Sequence, residues 1–426
     1  MIYNSPRGTE DYFGKEIKYR DFIIRVSKKL FEIFNYSEII TPHFEHTEVF
    51  SRGIGENSEI VQKEMFTFSD KKKRSLTLRP EGTASVVRAV VENKLYSENL
   101  PLKLFYIGNM FRYERPQKGR MREFCQIGVE SVGSNSPSID AEVIWLLYEL
   151  FREIGFKNLI LHINSIGCSD CRRDYIDALE KQLIPLRGSL CEDCNARLGK
   201  NTLRVFDCKV KTCRAVLKNV IKISDNLCEN CQKHFNEIKS LLDILKIEYV
   251  HNKNLVRGFD YYTRTIFEII SSDIDSAQNA LGGGGRYDNL VKEFGGPELS
   301  SVGFAIGLER TILLMKELGI QVADSIKDKN KTYVISMDPS YNKYIFELIK
   351  FLRGRGILCD INFNIRNLGK EIKSAQNNGY RNVIIIGEDE YRKKSVKVKK
   401  LENYSQQEFD WETEKEKILN FLEKME

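Results

Sequence analysis

No uninterrupted apolar run among the 426 residues approaches the roughly 20 that a bilayer-spanning helix needs, and the opening stretch MIYNSPRGTEDYFG carries no apolar signal segment. The sequence therefore reads as that of a soluble, cytoplasmic protein with no membrane partner. It has no fixed-period repeat and no extended low-complexity tract, which excludes solenoids and fibrous arrays. A strong charge of one sign is missing too: 66 Lys and Arg against 60 Asp and Glu leave a net +6. That excess permits contact with nucleic acid without demonstrating it. Neither GxGxxG nor the Walker pattern ending in Gly-Lys-Ser/Thr occurs at the glycine-rich positions, so dinucleotide-binding and P-loop readings fail.

What is present is an ordinary globular balance of 42% hydrophobic and 30% charged residues. At roughly 100 to 200 residues per domain, the length accommodates two or three domains. Residues 1–325 read as an α+β core interrupted at 165–250 by a charged, helical, cysteine-rich insertion. Phe22 to Phe34 is helical, Leu102 to Phe111 is strand-like, strand-like sequence resumes at Leu255, and Gly303 to Gly319 predicts a strand leading into a helix. The segments flanking the insertion are expected to share one sheet. The polar stretch ADSIKDKNK (Ala323 to Lys331) resembles a linker, and 331–426 reads as a smaller α/β domain. There Thr332 to Met337, Ile357 to Phe363 and Asn382 to Ile386 are predicted strands. Tyr341 to Arg353 and Lys370 to Gln376 are predicted helices, and Ser395 to Leu401 an edge strand, in a largely parallel layer.

Four segments concentrate chemistry. Phe105 to Val132 predicts two strands joined by the basic loop Glu114 to Arg122, and period-two geometry puts Gln126 and Glu130 on one face, away from Cys125, Ile127 and Val129. Arg112, just before the loop, offers a planar fork suited to phosphate. In LVRGFDYYTRTIFEII, Arg257 interrupts strand-like sequence beside Gly258, where backbone can approach a ligand closely. LGGGGRYDNL (Leu281 to Leu290) is either a loose hairpin or a strand left bare for a flat ligand. Arg310, in SVGFAIGLERTILLM, falls in the first turns of a helix after a glycine-bearing strand, a setting that favours anions. Each arginine alone suits a surface ion pair; their combination suits a polyanionic substrate.

In order and wording these segments resemble the class II aminoacyl-tRNA synthetases, and within them the histidyl-tRNA synthetase family, over nearly the whole chain. EIITPHFEHTEVF, with Pro42, resembles the dimer-forming first class motif; FRYERPQKGR with FCQIGVE, the second; GFAIGLER, the third. RGFDYYTRTIFE and GGGGRYD are similar to the two signatures that set this family apart from its relatives. The resemblance implies an antiparallel class II sheet with helices, histidine, ATP and histidine tRNA as partners, Mg²⁺ accompanying ATP, and a homodimer formed through the first motif. It also implies residue roles. Glu81, Thr83 and Gln126 hold the ammonium and carboxylate ends of histidine, while Glu130, Tyr262 and Tyr287 face its imidazole. Arg112 and Arg310 hold ATP phosphates, and Arg257 meets the α-phosphate, so that Arg257 and Arg112 serve catalysis. Arg115, Gln117, Lys118 and Arg120 lie against the tRNA acceptor stem. LGKEIKSAQNNGYRNVIIIGEDE resembles an anticodon-binding domain; the basic run Arg392, Lys393, Lys394, Lys397, Lys399 and Lys400 stays unassigned, since a charged run also suits a solvated edge.

Ten cysteines in a chain of this kind read as reduced thiols or metal ligands. Cys168/Cys171, Cys191/Cys194 and Cys228/Cys231 are CxxC pairs, with four residues between Cys208 and Cys213. Two such knuckles suit tetrahedral zinc, with Cys191, Cys194, Cys228 and Cys231 the first choice of ligands, while buried thiols also behave as small hydrophobes. Two rival readings are a catalytically silent synthetase-like regulatory subunit of histidine biosynthesis and a zinc-dependent RNA-binding module. Arg112, Arg257, Arg310 and the C-terminal block argue against both.

Overall fold

The computed structural model describes residues 3–55, 58–97, 99–117, 119–274, 279–322, 331–363 and 367–423. The chain divides into two compact units, Met1–Gln321 and Val322–Glu426.

The strands of the first unit are β1 (Ser37–Glu38), β2 (Phe44–His46), β3 (Thr67–Ser69), β4 (Ser75–Leu78), β5 (Leu102–Phe111), β6 (Glu123–Val132), β7 (Leu159–Ser165), β8 (Tyr249–His251), β9 (Thr263–Ser271), β10 (Ala280–Arg286) and β11 (Ser301–Gly307). Eight of them form one sheet in the order β1-β5-β6-β11-β10-β9-β7-β8, antiparallel except at the β1–β5 and β7–β8 pairs. Strands from both sides of the insertion therefore share one sheet, as expected. β2, β4 and β3 form a small antiparallel sheet of their own.

The four glycines of β10 are required by the sheet's middle. Gly284 sits between Phe267 of β9 and Phe304 of β11, and a methyl group on it would lie 1.9 Å from the Gly303 carbonyl oxygen. Glycine is the residue that fits there, and the bare backbone leaves a smooth floor.

The helix Pro137–Ile154 packs on this sheet. Ser136 caps it by accepting a hydrogen bond from the Ser138 amide, Pro137 opens it, and left-handed Gly155 ends it. Its apolar stripe, including Ile144, Leu147 and Phe151, is buried, each such side chain contributing roughly 1.5–3 kcal/mol. Asp140 in its first turn meets Arg286 of β10, whose Nε lies 3.1 Å from both carboxylate oxygens; both side chains are fully buried. Removing one partner of such a pair strands a buried charge. Asp140→Ala is expected to lower stability by about 3–5 kcal/mol in denaturant unfolding; a loss under about 1 kcal/mol would contradict that account of the pair.

Between β7 and β8 the chain is helical, with helices Ser169–Leu183, Glu192–Arg197, Lys211–Lys218 and Glu229–Ile244 and no strand. The expectation that strand-like sequence resumes at Leu255 is corrected: strand pairing begins at Thr263. The backbone carbonyls of Gly258, Asp260 and Tyr262 instead accept hydrogen bonds from Arg204 and Arg172 of the insertion, so 255–262 is a loop held from outside the sheet.

The second unit holds β12 (Thr332–Ser336), β13 (Cys359–Ile361), β14 (Asn382–Ile386), β15 (Ser395–Lys400) and β16 (Gln406–Asp410) in the order β13-β12-β14-β15-β16. The first three are parallel and the last two antiparallel. Neighbouring residues of one strand feed opposite clusters, Val334 and Ile384 one face, Ile335 and Val383 the other, which makes β14 buried throughout. The expected edge strand at Ser395 is internal; β16 covers it. Most of the linker stretch, residues 323–330, lies outside the described residues.

Candidate active site

β5 and β6 pair from Leu102↔Val132 to Phe111↔Glu123, and this register places Gln126 and Glu130 four residues apart on one face, either side of Gly128. That face is dry: Glu130 is 1% exposed and Gln126 8%. The helix Thr83–Glu92 begins beside them because Glu81 accepts from the amides of Thr83 (2.7 Å) and Ala84 (2.8 Å), satisfying two donors of its first turn. Gln126 Oε1 accepts from the Gly82 amide at 3.1 Å.

Three separate chain segments meet at Glu130. Thr83 Oγ1 donates to Glu130 Oε1 at 2.6 Å, and the Tyr287 hydroxyl donates to Oε2. Gly303 of β11 lies directly beneath; a methyl group there would sit 2.0 Å from Glu130 Oε2, so this glycine makes room for the carboxyl. Burial pushes Glu130 up to about 8, against its two hydroxyl donors and with the help of the Glu81 charge. Burial likewise raises Glu81 against its amide donors. A cavity of about 170 Å³ opens over this group, lined by Glu81, Thr83, Gln126, Glu130, Tyr262 and Tyr287 among others. The six residues assigned to histidine by resemblance therefore surround one small, polar, buried space.

A second cavity of about 670 Å³ adjoins it, and Arg112, Gln126, Arg257, Phe259 and Ala305 line both. Arg257 stands at this junction with Nη1 2.7 Å from Glu268 Oε1 of β9, a bond that fixes its guanidinium. Arg112 donates from Nε to the Pro80 carbonyl at 2.8 Å and lies over the Phe124 ring at 5.3 Å, which orients its fork toward the cavity. Arg310, the third residue of the helix Leu308–Glu317, lines the larger cavity. Burial and the neighbouring Arg120 charge pull it below its ordinary range, and an anion arriving there would offset that. Arg115, Gln117 and Arg120 are exposed on the β5–β6 loop, whose tip is closed by the reciprocal Gln117–Arg120 backbone bonds; Lys118 lies outside the described residues.

Several lining residues were not singled out from the sequence. Arg197, Arg204, Asp207 and Lys209 of the insertion form one wall of the larger cavity. For Arg204, Asp207 and Lys209 the linear signal is the charged stretch NTLRVFDCK around Cys208; Arg197 lies before it, in EDCNAR. The proposed zinc set of Cys191, Cys194, Cys228 and Cys231 is overturned. The sulfurs of Cys191 and Cys194 gather with Cys208 and Cys213, and those of Cys228 and Cys231 with Cys168 and Cys171. The helix starts at Ser169 and Glu229 lie together, whereas Glu192–Arg197 lies with Lys211–Lys218. In the second unit, Arg392, Lys394 and Lys397 of the basic run are paired with Glu388, Glu412 and Glu390.

An antiparallel sheet with a glycine floor, a buried amino-acid-sized pocket and an arginine-lined annex is the catalytic arrangement of a class II aminoacyl-tRNA synthetase. The family can be narrowed further. A model described as histidyl-tRNA synthetase matches residues 8–311, and one described as anticodon binding domain matches 331–421. The histidine–tRNA ligase of Halothermothrix orenii is 44% identical over 426 residues, 100% of this chain and 99% of its own. That of Desulforamulus reducens is 43% identical over 408 residues, 96% of this chain and 97% of its own. The crystal structure of apo S. aureus histidyl-tRNA synthetase superposes with a TM-score of 0.82 at 34% identity, covering 99% of this chain and 100% of that one. The chain belongs to the histidyl-tRNA synthetase family.

Proposed function

We propose that the chain activates histidine with ATP and transfers the histidyl group to the 3′ end of histidine tRNA. The observation that carries this reading is the junction: Arg257 and Arg112 border both the small carboxyl-lined pocket and the arginine-lined annex. An amino acid in the first and a nucleotide in the second would meet there.

Glu81 supplies negative charge for the substrate ammonium, and Gln126 completes that end of the pocket. Glu130, with Tyr262 and Tyr287, faces the imidazole, whose two nitrogens donate and accept. Such a pocket leaves buried polar groups unpaired when an apolar analogue enters, which discriminates by roughly 10⁴-fold or more. The histidine carboxylate is ionised near neutral pH and needs no side-chain base. It attacks the α-phosphate, the bond to the β-phosphate breaks, and pyrophosphate leaves. Arg257 stabilises the charge that grows on the α-phosphate; Arg112 and Arg310 hold the remaining phosphates. ATP arrives as its magnesium complex. Glu114 and Glu268 line the larger cavity and suit a hard cation, and with the phosphates they would hold the ion, which offsets phosphate charge.

The terminal ribose hydroxyl of the tRNA then attacks the adenylate carbonyl and AMP leaves, with Arg115, Gln117, Lys118 and Arg120 against the acceptor stem and residues 331–426, within the second unit, on the anticodon arm. Exposure of Ile40 (84%) and Phe44 (51%) in the first motif supports a homodimer through that face. Cytoplasmic residence goes with this role. Among the described residues no helix is long and apolar enough to cross a membrane.

The reading is tested by charging histidine tRNA with labelled histidine. Arg115→Ala, at a position outside the lining of both cavities, is expected to keep the ATP–pyrophosphate exchange rate and raise KM for tRNA, with a shallower salt dependence, because it removes a phosphate contact. Equal loss in both assays would contradict the acceptor role.

A further inference from the structure

The insertion's eight cysteines form two tetrads. The sulfurs of Cys168, Cys171, Cys228 and Cys231 all lie within 4.8 Å of one another, and so do those of Cys191, Cys194, Cys208 and Cys213. All eight are free thiols. Four sulfurs held tetrahedrally at about 2.3 Å from one zinc ion stand about 3.8 Å apart. The Cys168–Cys171 and Cys191–Cys208 sulfurs are separated by 3.6 and 3.8 Å.

Local structure points the same way. Cys168, Cys191 and Cys228 each occupy the position just before a helix, so each knuckle is built on a helix start. Backbone amides also reach sulfur from one knuckle to the next: Cys228 N–H donates to Cys171 Sγ and Cys191 N–H to Cys213 Sγ, both at 3.1 Å. Packing of small hydrophobes would spread sulfurs among aliphatic neighbours and keep all of them inside. Here they converge in fours, and Cys228 is exposed.

We propose that each tetrad binds one structural zinc ion, two per chain, and that the pair positions the insertion's wall of the active site. The first ion ties the segment after β7 to the one leading into Glu229–Ile244, closing the base of the insertion. Arg172, beside Cys171, donates to the carbonyls of Asp260 and Tyr262. The second ion joins Glu192–Arg197, the turn Thr202–Asp207 and Lys211–Lys218. From that turn Arg204 reaches the Gly258 carbonyl at 3.3 Å, and the preceding Asn201 reaches Asp260 Oδ1 at 2.6 Å. Both ions thus act on the loop that carries Arg257 and Tyr262. They are positioning elements, since their sulfurs line neither cavity. All eight thiolates are used, so each site is closed and has no position open for chemistry.

The test is elemental analysis of the full chain purified without chelator, which is expected to give two zinc per chain. Cys213→Ser and Cys231→Ser are each expected to keep one zinc while the other tetrad stays loaded. Should a variant fail to fold, cobalt exchange into the unaltered chain decides instead: thiolate-to-cobalt absorption should saturate at two equivalents. A content below about 0.5 zinc per chain, a content of one lost by both variants, or saturation at one equivalent overturns the proposal. So does a disulfide within either tetrad when the unreduced, denatured chain is alkylated. These readouts are independent of substrate. Only the kinetic arm, at least a tenfold fall in exchange rate for Cys213→Ser at one zinc per chain, rests on the proposed function, and an unchanged rate there overturns the positioning role alone.

Discussion

Replacing Arg257 by alanine is expected to lower histidine-dependent ATP–pyrophosphate exchange by about 100-fold or more while leaving the fold and histidine affinity nearly unchanged. The guanidinium is fixed by Glu268 at 2.7 Å before substrate arrives, so its cost of organisation is met in folding. Its charge is matched to negative charge that grows only as the carboxylate attacks the α-phosphate, and an interaction of that kind is lost from kcat rather than from ground-state binding. Circular dichroism and histidine titration are the controls. A folded Arg257→Ala chain that exchanges at near-normal rate would remove the residue from the mechanism.

Glu130→Gln is expected to weaken histidine by about 10- to 100-fold and to leave KM for ATP close to its starting value, because the amide keeps the shape and loses a charge-assisted acceptor. The pH dependence carries a second signature. In the free pocket the Glu130 carboxyl titrates at about 8, and the ring of free histidine at roughly 6.5. Between these values the partners, a protonated carboxyl and a neutral ring, already hold the one proton they share in the complex, and affinity is flat. Below that window binding must release the ring's extra proton, so affinity falls as pH drops. Above it binding must take up a proton, so affinity falls as pH rises. Glu130→Gln is expected to lose the limb near pH 8 and keep the acid one, and the comparison separates Glu130 from the substrate's own α-amino group. A variant with the same alkaline limb would show that Glu130 does not titrate in binding.

The fold class and family were readable because local pattern and tertiary role coincide in the motif segments. β5 and β6 run from Leu102 to Phe111 and from Glu123 to Val132, where alternation and the basic loop mark them, and period two alone put Gln126 beside Glu130. The union of Thr83, Glu130 and Tyr287 came only through resemblance, since they lie on three segments that alternation cannot bring together. The loop 255–262 misled for a physical reason: its valine, phenylalanine and tyrosines are strand formers, but the loop's carbonyls at Gly258, Asp260 and Tyr262 are bonded by arginines of the insertion rather than by a neighbouring strand. β16 was missed because QQEFD buries only Phe409 and so shows no alternation. The cysteine knuckles were visible at their i, i+3 spacing. Which knuckles meet depends on which helix starts lie together, and that has no linear signal.

The central claim is that the pocket over Glu130 activates histidine at the arginine junction. ATP–pyrophosphate exchange driven by single amino acids tests it most directly. Histidine is expected to drive exchange, and the other nineteen amino acids to drive it at least about 10⁴-fold less efficiently; no exchange with histidine, or comparable exchange with another amino acid, would contradict it.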